Sequence, residues 1–205
     1  ISREIDTVRY EKAVDAYFGQ YPLSRLRQAL DAKQLGDYLA TVVPEVGEVT
    51  GISLGGIGET NITLTMRKPV AGWTIDGKQY FVDANGVAFE KNYYATPAVQ
   101  IVDNSGVGFV QGTAVASNRF LGFVGRIVAL AKDRGYTVTQ AIIPVGTTRQ
   151  LEVQLQEVNT HVRFSIDRPA GEQVEDMSRA LQYLAKVGRA PGYVDVRVSG
   201  KAFYK

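Results

Sequence analysis

The sequence contains no cysteine. Disulfide staples, thiolate nucleophiles and Cys-ligated zinc are therefore excluded, and the fold must be held by packing and hydrogen bonds. Histidine is nearly absent too: a single residue, His161, leaves no site built from several imidazoles. Charge of one sign is also missing. The chain has 23 Lys+Arg against 21 Asp+Glu, a formal net charge of +2, which gives no electrostatic footprint for a nucleic acid. No stretch reaches the about 18 apolar residues that a membrane-spanning helix requires. The most apolar segment, "FLGFVGRIVALA" from Phe120, is broken by Arg126 and reads as a buried helix. A signal peptide, low-complexity tracts and solenoid-period repeats are not visible.

What is present is ordinary globular material. Of 205 residues, 45% are hydrophobic and 21% charged, enough apolar surface for one large domain or two small ones. The first residue is Ile, so the stretch reads as a cut piece of a longer chain, which leaves room for an anchor or targeting segment upstream.

Hydrophobic periodicity gives an α+β order. Residues 6 to 18 carry Val8, Tyr10, Val14, Tyr17 and Phe18 near helical spacing, with Asp6 as an N-cap. "YPLSRLRQAL" opens a second irregular-to-helical stretch. "AKQLGDYLATVV" follows as a helix with Leu35, Leu39, Val42 and Val43 inward, stopped by Pro44. Period two then takes over in "EVTGISL", "NITLTMR", "AGWTI", "KQYFVD" and "VAFE", with Asp76-Gly77 and Asn85-Gly86 as hairpin turns. A strand before the first helix would complete this opening unit. Farther on, "SNRFLGFVGRIVALAKDRG" is a helix closed by Gly135, and "YTVTQAII", "RQLEVQLQ" and "HVRFSI" are strands. "GEQVEDMSRALQYLAKVG" is the last helix, striped by Val174, Met177, Leu181 and Leu184. The end of the chain returns to alternation, with Val194, Val196 and Val198 expected on the core side of a late strand. Phe203 and Tyr204 stand at its tip.

Motifs for catalysis are scarce. The glycine-rich "GISLGGIGET" lacks the third glycine or the Lys-Ser/Thr that a phosphate cradle needs, and a strand follows it, so it reads as a hairpin loop. His161 falls in the polar register of a strand, with no GxSxG elbow to serve, and reads as a solvated histidine. Asp83, Asp103, Asp167 and Asp195 lie near strand ends, where turn and cap roles are expected. An enzyme is disfavoured, and no cofactor or metal is expected.

Three motifs in register carry a family resemblance. "VVPEVGEVTGISL" with "TNITLTMRKPVAGW" resembles the end of the POTRA domain in the bacterial cell-division family FtsQ (DivIB in Gram-positive bacteria). Met66 replaces the acidic residue of that family's "E-R-x-P-V-A" signature. "YFVDANGVAF" is similar to the family's "VD-x-x-G-x-x-F" hairpin through Val82, Asp83, Gly86 and Phe89. "YVDVRVSGKAFYK" is similar to its closing "VD-x-R" segment through Val194, Asp195 and Arg197. The family's "V-x-G-N" opening strand is not visible.

The resemblance implies a POTRA-like domain over residues 1–71, with helices on a small sheet. Residues 72–205 would form a β domain, a mainly antiparallel sheet with two helices on one face. It implies a non-enzymatic divisome scaffold, anchored by a transmembrane helix absent from these residues. This part would lie outside the cytoplasmic membrane, concentrated at the division septum, and would bind no nucleic acid and no small-molecule substrate. FtsB- and FtsL-like coiled-coil proteins are the implied partners, one of them adding a strand to the C-terminal edge. The expected partner-binding residues are Arg197, Val198, Ser199, Gly200, Lys201, Ala202, Phe203 and Tyr204, with Arg197 and Lys201 suited to an acidic segment. The alternatives are an exported POTRA-type chaperone or transport-associated binding module, or an envelope enzyme acting on glycan with two facing carboxylates.

Overall fold

The structure, a computed structural model, describes residues 1–25, 30–56 and 59–205. The fold is α+β, and the chain forms two compact units. Unit 1 gathers residues 1–70, 81–96 and 109–115. Unit 2 gathers 71–80, 97–108 and 116–205.

Unit 1 opens with α1 (Thr7–Gln20), whose first-turn amide at Arg9 bonds the Asp6 side chain, as expected of an N-cap. A short 3₁₀ turn (Pro22–Arg25) follows. The remainder of the second helical stretch, residues 26–29, lies outside the described residues. Asp31 caps α2 (Ala32–Val42), accepting from the amides of Lys33 and Gln34. Strands β1 (Val46–Leu54) and β2 (Thr60–Met66) pair antiparallel, so the glycine-rich stretch does join a hairpin; residues 57 and 58 at its tip lie outside the described residues. Tyr17, Leu35, Leu39, Val43, Val46 and Met66 form the centre of this core.

A polar network is sealed beside them. The Tyr10 hydroxyl reaches Glu45 Oε1 at 3.0 Å and the Tyr93 hydroxyl at 2.8 Å. Each phenol has one proton, so the chain that satisfies both runs from Tyr93 to Tyr10 to Glu45. Arg9 Nε supplies the compensating charge to Glu45 Oε1 at 3.0 Å. Burial, then the bonds to Tyr93 and Glu45, push the Tyr10 phenol far above its ordinary value. A second buried pair, Arg67 Nη1 to Asp83 Oδ2 at 2.5 Å, joins two of the motifs singled out in the sequence.

The two predicted turns differ. At Asp76-Gly77 both residues have positive φ (50° and 74°), the two-residue hairpin turn expected of that pair. It joins β3 (Ala71–Ile75) to β4 (Lys78–Val82), and β4 runs on into unit 1 to pair antiparallel with β5 (Ala88–Phe89). At Asn85-Gly86 only the glycine is at positive φ, and the turn is wider. Asp83 takes the reason on itself: its Oδ1 accepts from the amides of Asn85 and Val87, each at 2.9 Å, and this side-chain cap replaces a tight backbone turn.

Unit 2 is built on a sheet in the order β11-β10-β9-β8-β7-β6-β3. Besides β3 it holds β6 (Gln100–Asp103), β7 (Val138–Ile143), β8 (Gln150–Leu155), β9 (His161–Ser165), β10 (Tyr193–Asp195) and β11 (Phe203–Tyr204). Antiparallel pairs are β7–β8, β8–β9 and β10–β11, whereas β3–β6, β6–β7 and β9–β10 are parallel. Helix α3 (Asn118–Asp133) provides the crossover from β6 to β7, and α4 (Ala170–Lys186) the one from β9 to β10. Strand β6 has no counterpart in the sequence reading, because four residues are too few to show a period.

Register fixes the two faces. Trp73, Ile101, Ala141, Val153, Val162, Val194 and Tyr204 form one row across the sheet. The row is buried from Trp73 to Val194 beneath α3 and α4, where Phe120 meets Trp73 edge to face. The neighbouring row, on the opposite face, reads Thr74, Val102, Ile142, Glu152, Arg163, Asp195, Phe203. Among the described residues no helix is long and apolar enough to cross a membrane.

Candidate functional site

The C-terminal edge of unit 2 is assembled from a parallel strand, a tight turn and a two-residue return. β10 lies parallel to β9, and Val196 continues that contact, its amide donating to Arg163 O at 3.1 Å. Regular strand ends at Asp195. Val194 and Val196 are fully buried, but Val198, expected beside them, is 48% exposed. The correction has a simple cause: the chain leaves the sheet after Val196, so the period-two rule ceases to apply before Val198.

Two charged clamps shape the turn. On the open face, Asp195 accepts three bonds from Arg197: the amide at 3.0 Å, Nε at 2.8 Å and Nη2 at 2.6 Å. Burial would raise the Asp195 carboxyl, but the Arg197 side chain and amide, with Arg163 beyond, outweigh it and hold the group below the usual carboxylate range. The Arg197 guanidinium is raised in turn by Asp195. On the helix side, Arg168 donates to Val196 O at 2.5 Å and to Asp176 at 3.3 Å, while Asp176 accepts the Gly200 amide at 3.3 Å. Gly200 itself sits at φ 66°, the left-handed region that closes the turn.

After the turn, β11 pairs antiparallel with β10 through Val194↔Tyr204 and Asp195↔Phe203. It stands last in the order, with β10 as its sole strand neighbour among the described residues. Phe203 points to the open face and is 53% exposed; Tyr204 points to the helix face, where Arg189 donates to its hydroxyl at 3.2 Å. A shallow groove of about 360 Å³ runs between this tail and α4, bordered by Arg179, Tyr183, Leu184, Lys201, Ala202 and Tyr204.

All eight residues expected at the site thus lie on one continuous turn and edge. They are not equivalent. Arg197 is committed to Asp195, whereas Lys201 is exposed and has no anionic partner among the described residues. Sequence reasoning missed Tyr183, 55% exposed on α4. Its signal was present: an aromatic outside the stripe of Val174, Met177, Leu181 and Leu184. It missed the Arg168–Asp176 clamp as well, which joins residues 8 apart to a turn that only tertiary structure brings near.

The other candidates resolve as structural groups. Asp83, Asp103 and Asp195 each accept the amide two residues on, and Asp167 pairs with Arg149 at 2.5 Å. His161 lies on the half-exposed face of β9, 3.9 Å from Glu152. No group of three or more His, Asp or Glu among the described residues is placed to hold a metal ion. The chain matches no protein-family model and no curated protein.

Proposed function

We propose that the protein is a non-enzymatic scaffold of the FtsQ/DivIB type. In this reading residues 1–71 act as a POTRA-type domain and residues 72–205 as the β domain. They form the extracytoplasmic part of a single-pass membrane protein at the division septum. The partner is an FtsB- or FtsL-like protein that adds a strand to β11. The observation that carries the reading is the state of that edge: β11 is an end strand with exposed aromatics on both faces, fixed in place by two charged clamps. An edge of this kind offers unpaired N–H and C=O groups to an extended segment. Pre-ordering the turn lowers the conformational cost of accepting one.

The geometry refines the partner's chemistry. Lys201 and Lys205, both exposed, are free to meet acidic residues, and Arg197 contributes by holding the turn. An apolar residue on the incoming strand would pack beside Tyr204 toward the groove along α4. The test is binding of the extracytoplasmic segment of the FtsB-like protein from the same organism, by calorimetry. Phe203→Ala and Tyr204→Asp should each weaken it about tenfold or more, the loss of one well-packed aromatic. Unchanged affinity in both variants would place the partner elsewhere.

A further inference from the structure

The turn after β4 holds a reactive pair that the fold keeps from reacting. Asn85 is the one asparagine in the sequence followed by glycine. A glycine there has no Cβ to hinder its nitrogen from reaching the preceding side chain. Asn85 is exposed, and its side-chain amide has no hydrogen-bond partner among the described residues, so Cγ is open to attack.

The Gly86 nitrogen, the group that would attack, is restrained. Its N–H donates to Asp83 O at 3.0 Å, and Gly86 is buried. The amides on either side of it, those of Asn85 and Val87, are both held by Asp83 Oδ1 at 2.9 Å. Beyond the turn, Gly86 O accepts from the Val115 amide at 2.9 Å, and Val87 bridges to Ala114. To attack, the nitrogen must lose its proton, so its bond to Asp83 O must break. The resulting amide anion would form beside the Asp83 carboxylate, and a like charge at that distance disfavours it.

We propose that Asn85 is a site of spontaneous covalent modification gated by Asp83. When the turn opens, the deprotonated Gly86 nitrogen bonds to Asn85 Cγ. The bond from Cγ to Nδ2 breaks, and Nδ2 leaves as ammonia, taking up a proton from water. A five-membered succinimide remains. Water then opens it: breaking the new bond to Cγ gives aspartate at position 85, and breaking the original peptide bond gives isoaspartate. Nothing is oxidised or reduced. Isoaspartate carries one more carbon in the main chain, so the bonds from Gly86 and Val87 to Asp83 no longer fit together, and a second carboxylate now stands beside the first. The modified turn therefore does not close as before. The inference concerns unit 1 alone and is independent of the β11 reading.

The experiment follows Asn85 by peptide mapping in the whole chain, incubated in mildly alkaline buffer, beside a free peptide of residues 82–89. Modification is expected at Asn85 ahead of every other asparagine, at least about tenfold slower in the folded chain than in the peptide. Hydrogen exchange supplies the decisive comparison. Exchange at Gly86 and attack by Gly86 both need the same N–H released, so the two should be slowed by a similar factor. Asp83→Ala should bring the rate at Asn85 close to that of the peptide, with circular dichroism reporting whether the variant is folded; the exchange comparison in the unaltered chain stands without it. Reaction as fast in the folded chain as in the peptide overturns the proposal. So does earlier modification of another asparagine, or a slowing at Asn85 that departs more than about tenfold from that of Gly86 exchange.

Discussion

Asp83 shows how a single residue can serve two neighbourhoods. Its Oδ1 organises the turn after β4, and its Oδ2 neutralises Arg67, in a pair whose side chains are 9% and 12% exposed. Removing one member of a buried pair strands the other charge, at a cost of about 3–5 kcal/mol. Asp83→Ala should therefore lower the unfolding free energy by about 3 kcal/mol in urea titration. A change below about 1 kcal/mol would mean that water replaces the carboxylate at no penalty. Asp195 makes a pH prediction. Its folded pKa lies below the unfolded value of about 3.9, so its contribution is complete above that value and is lost as pH falls through the folded pKa. The acid limb of the stability curve below about pH 4 should flatten in Asp195→Asn, read from denaturation midpoints measured across pH. An identical acid limb in the variant would remove Asp195 from the account.

Elements differ in how far their sequence announces them. Helices α3 and α4 were legible because their apolar stripes are long: Phe120, Val124, Ile127 and Ala131 are all buried, as are Val174, Met177, Leu181 and Leu184. The Asp76-Gly77 turn was legible because both central residues need positive φ. Gly77→Ala meets no steric neighbour, so its cost is conformational alone, about 1 kcal/mol in the same titration. A neutral result would show that the turn relaxes to another type. Other features were hidden. Val8 lies near the helical period of α1 yet is exposed, since periodicity does not say how wide a face the neighbours cover. β6 is short, and both of its neighbours are parallel, joined to it through long connections that leave no turn signal. Of the candidate site, the strand and its aromatics could be read in the sequence. The Arg168–Asp176 clamp could not, because it depends on α4 lying beside a turn 24 residues away.

Across the whole of unit 2, strand order sets a gradient of stability. β8 and β9 lie within the sheet, each with a partner on either side, whereas β11 has one partner and two residues. Local opening follows the density of buried contacts. Native-state hydrogen exchange should find the slowest amides in β8 and β9 and the fastest ladder amides in β11; comparable protection at Tyr204 and Val153 would contradict the ordering. The open-face row Glu152, Arg163, Asp195 has a consequence of its own. Its signs alternate from strand to strand, with Arg163 bonded to Glu152 at 2.6 Å and stacked 3.9 Å over the Tyr193 ring. Shift β10 by one residue and Val194 turns out to water. Shift it by two, which keeps its faces, and one direction brings Arg197 beside Arg163 while the other takes Asp195 away from it. The row thus works as a vernier: only one alignment of the last strands brings every charge next to its opposite.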